Sequence, residues 1–140
     1  MPSLDAVEAR RRFATGQVAY LATLRADGSA ALVPIVFDVI AGAVVSSVDP
    51  KPKRTRELAR LRHIVRDPRV TLLVDHYEQD WSRIWWARAE GTARIVSTGP
   101  EREDAIQHLQ SKYPQYADLE DPFGEAVIVD VARWLGWSFS

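Results

Sequence analysis

The sequence predicts a mainly β fold, a small antiparallel barrel of five or six strands with peripheral helices, and three observations lead toward it. Runs of strand-forming residues are joined mostly by short turns. Alternating βαβ units are absent and no G-x-G-x-x-G follows a strand, which disfavours a parallel dinucleotide-binding sheet. The chain has 140 residues, 46% of them hydrophobic and 26% charged, enough for one core but marginal for two. A single domain over 1–140 is therefore expected.

The elements follow in order. Ser3 ahead of Leu4, Val7 and Phe13, with Gly16 behind them, predicts a short capped helix. Val18 to Leu24 is the first strand, and Arg25-Ala26-Asp27-Gly28 is a turn whose glycine can supply positive φ. Ser29 to Ile40 reads as a second strand, with Pro34 marking a bulge or an amide that no ladder needs. Ala41-Gly42 turns the chain into a third strand, Ala43 to Val48, and Pro50 and Pro52 stop any regular element. Thr55 is placed to cap a helix with Leu58, Leu61, Ile64 and Val65 on one face, ended by Asp67-Pro68. Arg69 to His76 is the fourth strand. Trp81 to Val96 is a long fifth strand with a bulge at Gly91. Thr98 and Pro100 open a third helix that ends near Tyr113-Pro114. Ala126 to Ala132 is the last strand, and Trp134-Leu135-Gly136-Trp137 closes the chain.

Charge is distributed unevenly. The net charge is −1, yet Lys51 to Arg69 holds eight basic residues against Glu57 and Asp67, a local +6 that leaves −7 elsewhere. Such a segment is suited to meet an anion, while the acidic remainder would repel a long polyanion, so nucleic acid is not the expected partner. The absence of cysteine removes disulfides, thiolate metal sites and cysteine nucleophiles. His63, His76 and His108 lie far apart, and no G-x-S-x-G elbow or phosphate-binding P-loop is present. Arg10, Arg11 and Arg12 lead into no apolar h-region. The greasy stretch Ala30 to Val45 is broken by Asp38 and falls short of the roughly 20 residues a membrane span needs. A cytoplasmic protein is expected, with no membrane partner; if it is an enzyme, its hard chemistry belongs to a bound cofactor.

Two segments stand out. From Ser46 to Arg60 a strand end with two hydroxyls runs into Lys51, Lys53 and Arg54 and then a helix start, the donors a phosphate requires. In Trp81-Ser82-Arg83-Ile84-Trp85-Trp86-Ala87-Arg88, three tryptophans fall within six residues. Strand alternation sends at least one of those rings away from a single core, toward a second subunit or a flat ligand.

The series T-x-R-x-D-G (Thr23 to Gly28), the strand with Pro34, the strand ending in Ser46-Ser47, Arg60-Leu61-Arg62-His63-Ile64 and D-P-R-V-T-L-L-V (Asp67 to Val74) resembles the pyridoxamine 5′-phosphate oxidase-like split-barrel flavoproteins. Lys51-Pro52-Lys53-Arg54-Thr55, Asp75-His76-Tyr77 and Trp85-Trp86-Ala87-Arg88 resemble its actinobacterial branch of deazaflavin (coenzyme F420)-dependent enzymes. The resemblance implies a homodimer of mainly β, six-stranded antiparallel split β-barrels with peripheral helices, with two cofactor sites at the subunit interface. It implies that Val33, Pro34 and Ile35 offer backbone to the ring. Ser46 and Ser47 would approach the phosphate, with Lys51, Lys53, Arg54 and Thr55 around it. The phosphate-binding cation is Lys53, with Arg60 as the alternative, and Trp86 or Trp85 reaches the site from the neighbouring subunit. A local +6 exceeds the need of one flavin phosphate and suits the polyanionic tail of F420, so F420 ranks above FMN. The implied activity is hydride transfer between the reduced cofactor and a small organic acceptor, with no catalytic acid or base.

Overall fold

The computed structural model describes residues 3–49 and 54–140, and for 54–58 the backbone only. Its strands are β1 (Ser3–Leu4), β2 (Ala19–Leu24), β3 (Ala30–Ile35), β4 (Asp38–Ile40), β5 (Ala43–Ser47), β6 (Arg69–His76), β7 (Trp85–Val96) and β8 (Ala126–Ser138). Three helices surround them: α1 (Ala6–Ala14), α2 (Arg54–Arg66) and α3 (Pro100–Lys112). The strands pair antiparallel in the order β3-β2-β6-β7-β8-β5-β4, with β1 on β8.

The two ends of that path, β3 and β4, are separated in the chain by Val36 and Phe37 alone. Three residue steps span at most about 11 Å, so the sheet must curl until its edges meet at this corner. No ladder joins β3 to β4, and the barrel is split there. With β3 and β4 counted as one strand bent at the corner, and the two-residue β1 set aside, six strands build the barrel as expected. Phe37, fully buried, plugs the corner. The Tyr113 hydroxyl accepts from the Phe37 amide at 3.1 Å and lies 3.0 Å from the Phe37 carbonyl and 2.9 Å from that of Gln17.

Side-chain alternation sorts the strands into two faces. Leu21 and Ala19 of β2, Val70, Leu72 and Val74 of β6, and Ala87, Ala89 and Ala93 of β7 point inward and share one core with Phe13 of α1 and Leu61 and Ile64 of α2. Burying these side chains contributes about 1.5–3 kcal/mol for each large one. A smaller cluster of Val45, Ala105, Ala126 and Ile128 seats α3 on the outer side of β5 and β8.

Several expectations need correction. Ser3 does not cap α1 but pairs with Trp137 in the sheet; Asp5 is the cap, accepting from the Glu8 amide at 2.8 Å. Gly99, not Thr98, stands at the N-cap of α3. Trp81–Arg83 is a short 3-10 turn, so the fifth strand begins only at Trp85. The cause is local: the Asp80 carboxylate accepts from the Ser82 amide at 3.1 Å and from its hydroxyl at 2.7 Å, bonds that compete with a ladder. Val65 is 77% exposed and off the buried face of α2. Thr55 lies inside the first turn of that helix, which is described from Arg54.

The last strand does not stop at Ala132. It runs to Ser138 across a bulge: Gly91 pairs with Val131 and Glu90 with Arg133, leaving Ala132 as the extra residue. The expected bulge at Gly91 is present, but the inserted residue is on the partner strand. One extra residue reverses the alternation of β8. Val127 and Val129 point inward before it, and Trp134 and Gly136, opposite Ala89 and Ala87, do so after it. Gly91 is required because a Cβ there would lie 2.1 Å from the Asp130 carbonyl oxygen.

Candidate functional site

Where the barrel splits, the ends of β3 and β5 and the side of α2 enclose a cleft of about 250 Å³. Pro34, Ile35 and Val36 line it from β3 and the corner, Ser47 and Asp49 from the end of β5, and Arg60 from α2. Tyr116, Leu119 and Pro122 complete the wall from the segment after α3. Each element delivers its residue for a local reason. β3 is the sheet edge, where a proline lacking its N–H can be accommodated. Ser47 is the last ladder residue of β5, opposite Ala126, and its half-buried hydroxyl lies 3.3 Å from the Val48 carbonyl. On α2, Leu61 and Ile64 turn into the core, which leaves the half-buried Arg60 at the rim of the cleft.

α2 is further held by His63, whose Nδ1 lies 3.0 Å from the Thr23 hydroxyl of β2. Burial, and then the charges of Arg66, Arg25 and Arg62, hold this imidazole below its ordinary range. At the other wall, burial and the neighbouring Tyr113 and Asp49 push the Tyr116 phenol up, so it remains a neutral hydroxyl.

Four of the residues expected from the sequence therefore converge: Pro34, Ile35, Ser47 and Arg60. Ser46 does not line the cleft. It is 5% exposed and opposite Val127, on the inner face that also carries Val44. Val33 is partly exposed on β3 beside Leu21, outside the lining. Lys51 and Lys53 lie outside the described residues, and so do the side chains of Arg54 and Thr55. Trp86 is on the outer face of β7 between Asp75 and Trp137, with the Arg88 guanidinium 5.0 Å from its ring centroid, and does not line the cleft. Trp85 points the other way, packing against the core. Sequence reasoning missed Val36, Asp49, Tyr116, Leu119 and Pro122; the aromatic and proline cluster of Tyr113-Pro114-Gln115-Tyr116 was the available signal. Among the described residues no group of three or more acidic or imidazole side chains could hold a metal, and no helix is long and apolar enough to cross a membrane.

The cleft brings together one guanidinium, two hydroxyls and edge-strand backbone beside an aliphatic wall, the donor types that a phosphorylated ligand requires. Among the described residues Asp49 is the one carboxylate in the lining.

Solved structures share this architecture. A FAD-binding protein from Mesorhizobium loti superposes with a TM-score of 0.74 at 19% identity, over 96% of this chain and 93% of that one. The FAD-binding protein from Mycobacterium smegmatis gives 0.67 at 18%, over 99% and 100%. A heme-binding protein from Mycobacterium smegmatis gives 0.70 at 22%, over 92% of this chain but 52% of its own. At such identities the likeness establishes the fold alone. No curated protein sequence matches the chain significantly. The pyridoxamine 5′-phosphate oxidase family does match, over residues 6–137, nearly the whole sequence, and it is to this family that the chain belongs.

Proposed function

We propose that the protein binds a phosphorylated flavin-type cofactor at the split of the barrel and acts as an oxidoreductase on a small organic acceptor, with coenzyme F420 as the first reading and FMN as the second. The observation that carries this is the convergence of Pro34, Ile35, Ser47 and Arg60 from three separate elements on one cleft. FAD-binding proteins of the same fold support a flavin.

The fit to such a cofactor is partial and informative. About 250 Å³ is below the 300–1,000 Å³ that encloses a ligand of that size, so the cleft receives the phosphate end and leaves the ring overhanging. In this reading a second copy of the chain supplies the missing wall. It docks on the outer face of β2, β3, β6 and β7, where Leu32 is 65% and Tyr20 41% exposed and Leu73 and Trp86 are half-buried. Apolar side chains gathered on one sheet face suit such an interface. The cofactor, when bound, supplies hydride chemistry. The chain's own residues then have three tasks. Arg60 and Ser47, with Lys53 from the segment ahead of α2, hold the phosphate; the β3 backbone aligns the ring; and Tyr116 and Leu119 exclude water.

Fluorescence titration of F420 and FMN against apo protein tests the cofactor reading directly. Arg60→Gln should weaken binding by about 10- to 150-fold, the equivalent of about 1.5–3 kcal/mol for a hydrogen bond to a charged group. Arg10→Gln, on α1 and outside the basic segment, should leave the affinity within about twofold. Equal losses in the two variants would refute the Arg60 contact, and saturation by neither cofactor would refute the function. Light scattering during gel filtration tests the partner: the wild type should be a dimer, and Leu32→Glu with Leu73→Glu a monomer. A monomeric wild type would remove the shared site.

A further inference from the structure

A second cleft, of about 490 Å³, opens at the end of α1 and shares no lining residue with the cleft at the split. Arg12 of α1, His76 at the end of β6, Ser82 and Arg83 of the 3-10 turn, Trp85 of β7 and Ser138 of β8 face it. Its volume lies within the range of sites that enclose small organic molecules.

Its charges are arranged asymmetrically. Among the described residues two guanidinium groups line it and no acidic side chain does; Ser140 completes the lining, its carbonyl accepting from the Ser138 hydroxyl at 2.9 Å and its own hydroxyl donating to the Ser82 carbonyl at 2.8 Å. The nearby carboxylates bind these groups by one edge only: Glu8 takes Arg12 Nε at 2.7 Å, and Glu78 approaches Arg83 Nε at 3.4 Å. Among the described residues the terminal nitrogens of Arg12 and Arg83 make no hydrogen bond, so the faces of the fork that bind acids bidentately remain open. Glu8 also fixes Arg12 in place before any ligand arrives, 5.8 Å from the Trp85 ring centroid.

The apolar side is aromatic. His76 and Trp85 are direct cross-strand partners, and their rings stack on each other within 20° of parallel, with centroids 6.2 Å apart. Glu78 holds the imidazole through Nε2 at 2.5 Å. The Arg12 guanidinium lies over the indole, and hydroxyls of Ser82 and Ser138 stand at the margin of the pair.

We propose that this cleft is a second binding site, selective for a small organic anion, a carboxylate or sulfonate whose acid group meets Arg12 and Arg83 and whose apolar part packs beside the His76–Trp85 pair. The site goes beyond the cofactor reading and stands without it.

Calorimetric titration of the full chain, with no cofactor added, tests it with two probes: 2-naphthoate and its neutral isostere 2-naphthamide. Naphthoate should bind with one site per chain, and naphthamide at least about tenfold more weakly. Arg83→Gln, on an exposed turn where folding is not at stake, should weaken naphthoate about tenfold or more, as should Arg12→Gln. Arg60→Gln should leave naphthoate binding unchanged, which separates this site from the cofactor cleft. Equal binding of naphthoate and naphthamide, an unchanged affinity in Arg83→Gln, or no binding at millimolar concentration would each overturn the proposal.

Discussion

Replacing Gly91 by alanine should destabilise the protein more than any other single added methyl group on its exposed turns and strands. The new Cβ would stand 2.1 Å from the Asp130 carbonyl oxygen, 2.9 Å from Val131 Cα and 3.0 Å from the Asp130 carbonyl carbon. Carbon–oxygen contacts between strands settle at about 3.3 Å, so β7 and β8 must part by about 1 Å. Every blocking atom is backbone, and none can rotate aside. Overpacking that side chains can absorb costs about 1–3 kcal/mol; with rigid backbone on both sides the upper end applies, about 3 kcal/mol. A chain of 140 residues unfolds with an entropy of about 0.3 kcal/mol/K, so Tm should fall by about 10 °C. Thermal melts of Gly91→Ala beside Gly42→Ala provide the measurement, because a Cβ at Gly42 meets nothing within 4 Å and should change little. A Gly91→Ala protein melting within about 2 °C of wild type would refute the claim that close backbone approach maintains this bulge.

Two further variants probe the supports of the cofactor cleft. Tyr113→Phe deprives the buried Phe37 amide of its acceptor at the barrel corner; an unsatisfied buried donor costs about 1–3 kcal/mol, a fall in Tm of about 3–10 °C, and an unchanged Tm would show that the corner does not depend on this hydroxyl. His63 is held below its ordinary 6.5 in the fold, so as pH falls through 6.5 the unfolded chain takes up a proton that the folded chain does not, and stability declines until the folded value is passed. Urea midpoints at about pH 7.5 and about pH 5.5 should therefore differ less in His63→Gln than in wild type, and an equal difference would place the acid sensitivity elsewhere.

Elements whose boundaries are marked by local chemistry were legible in the sequence. β6 runs from Arg69 to His76 as read, because Asp67-Pro68 ends the helix before it and alternation carries it through. α3 starts at Pro100 with acidic residues in its first turn. The failures are places where a partner decides. Ser29 to Ile40 is an unbroken strand-like run, yet it bends at Val36 and Phe37 because its first half pairs with β2 and its second with β5. Ser3 looked like a cap because its type favours one, but its backbone is claimed by Trp137. At Trp81, hydrogen bonds from Asp80 outcompete the strand that the aromatic residues favour.

The candidate site shows the same division at the scale of one residue. Ser46 and Ser47 are equivalent in the sequence, and both were expected beside the phosphate. Consecutive strand residues face opposite sides of a sheet, so the two hydroxyls point apart. Pairing with β8 decides between them: Val44 and Ser46 stand opposite Val129 and Val127, which are buried in the core, and Ser47 is left for the cleft. β8 in turn reverses its alternation at Ala132, so the faces of Trp134 and Trp137 were not readable from the alternation of Ala126 to Ala132. Tyr116, Leu119 and Pro122 are farther still from sequence inference, since they reach Arg60 only after α3 has docked on β5 and β8. Residue type marked Pro34, Ser47 and Arg60 as suited to a ligand, and the closure of the barrel at Val36 and Phe37 is what brings them to the same one.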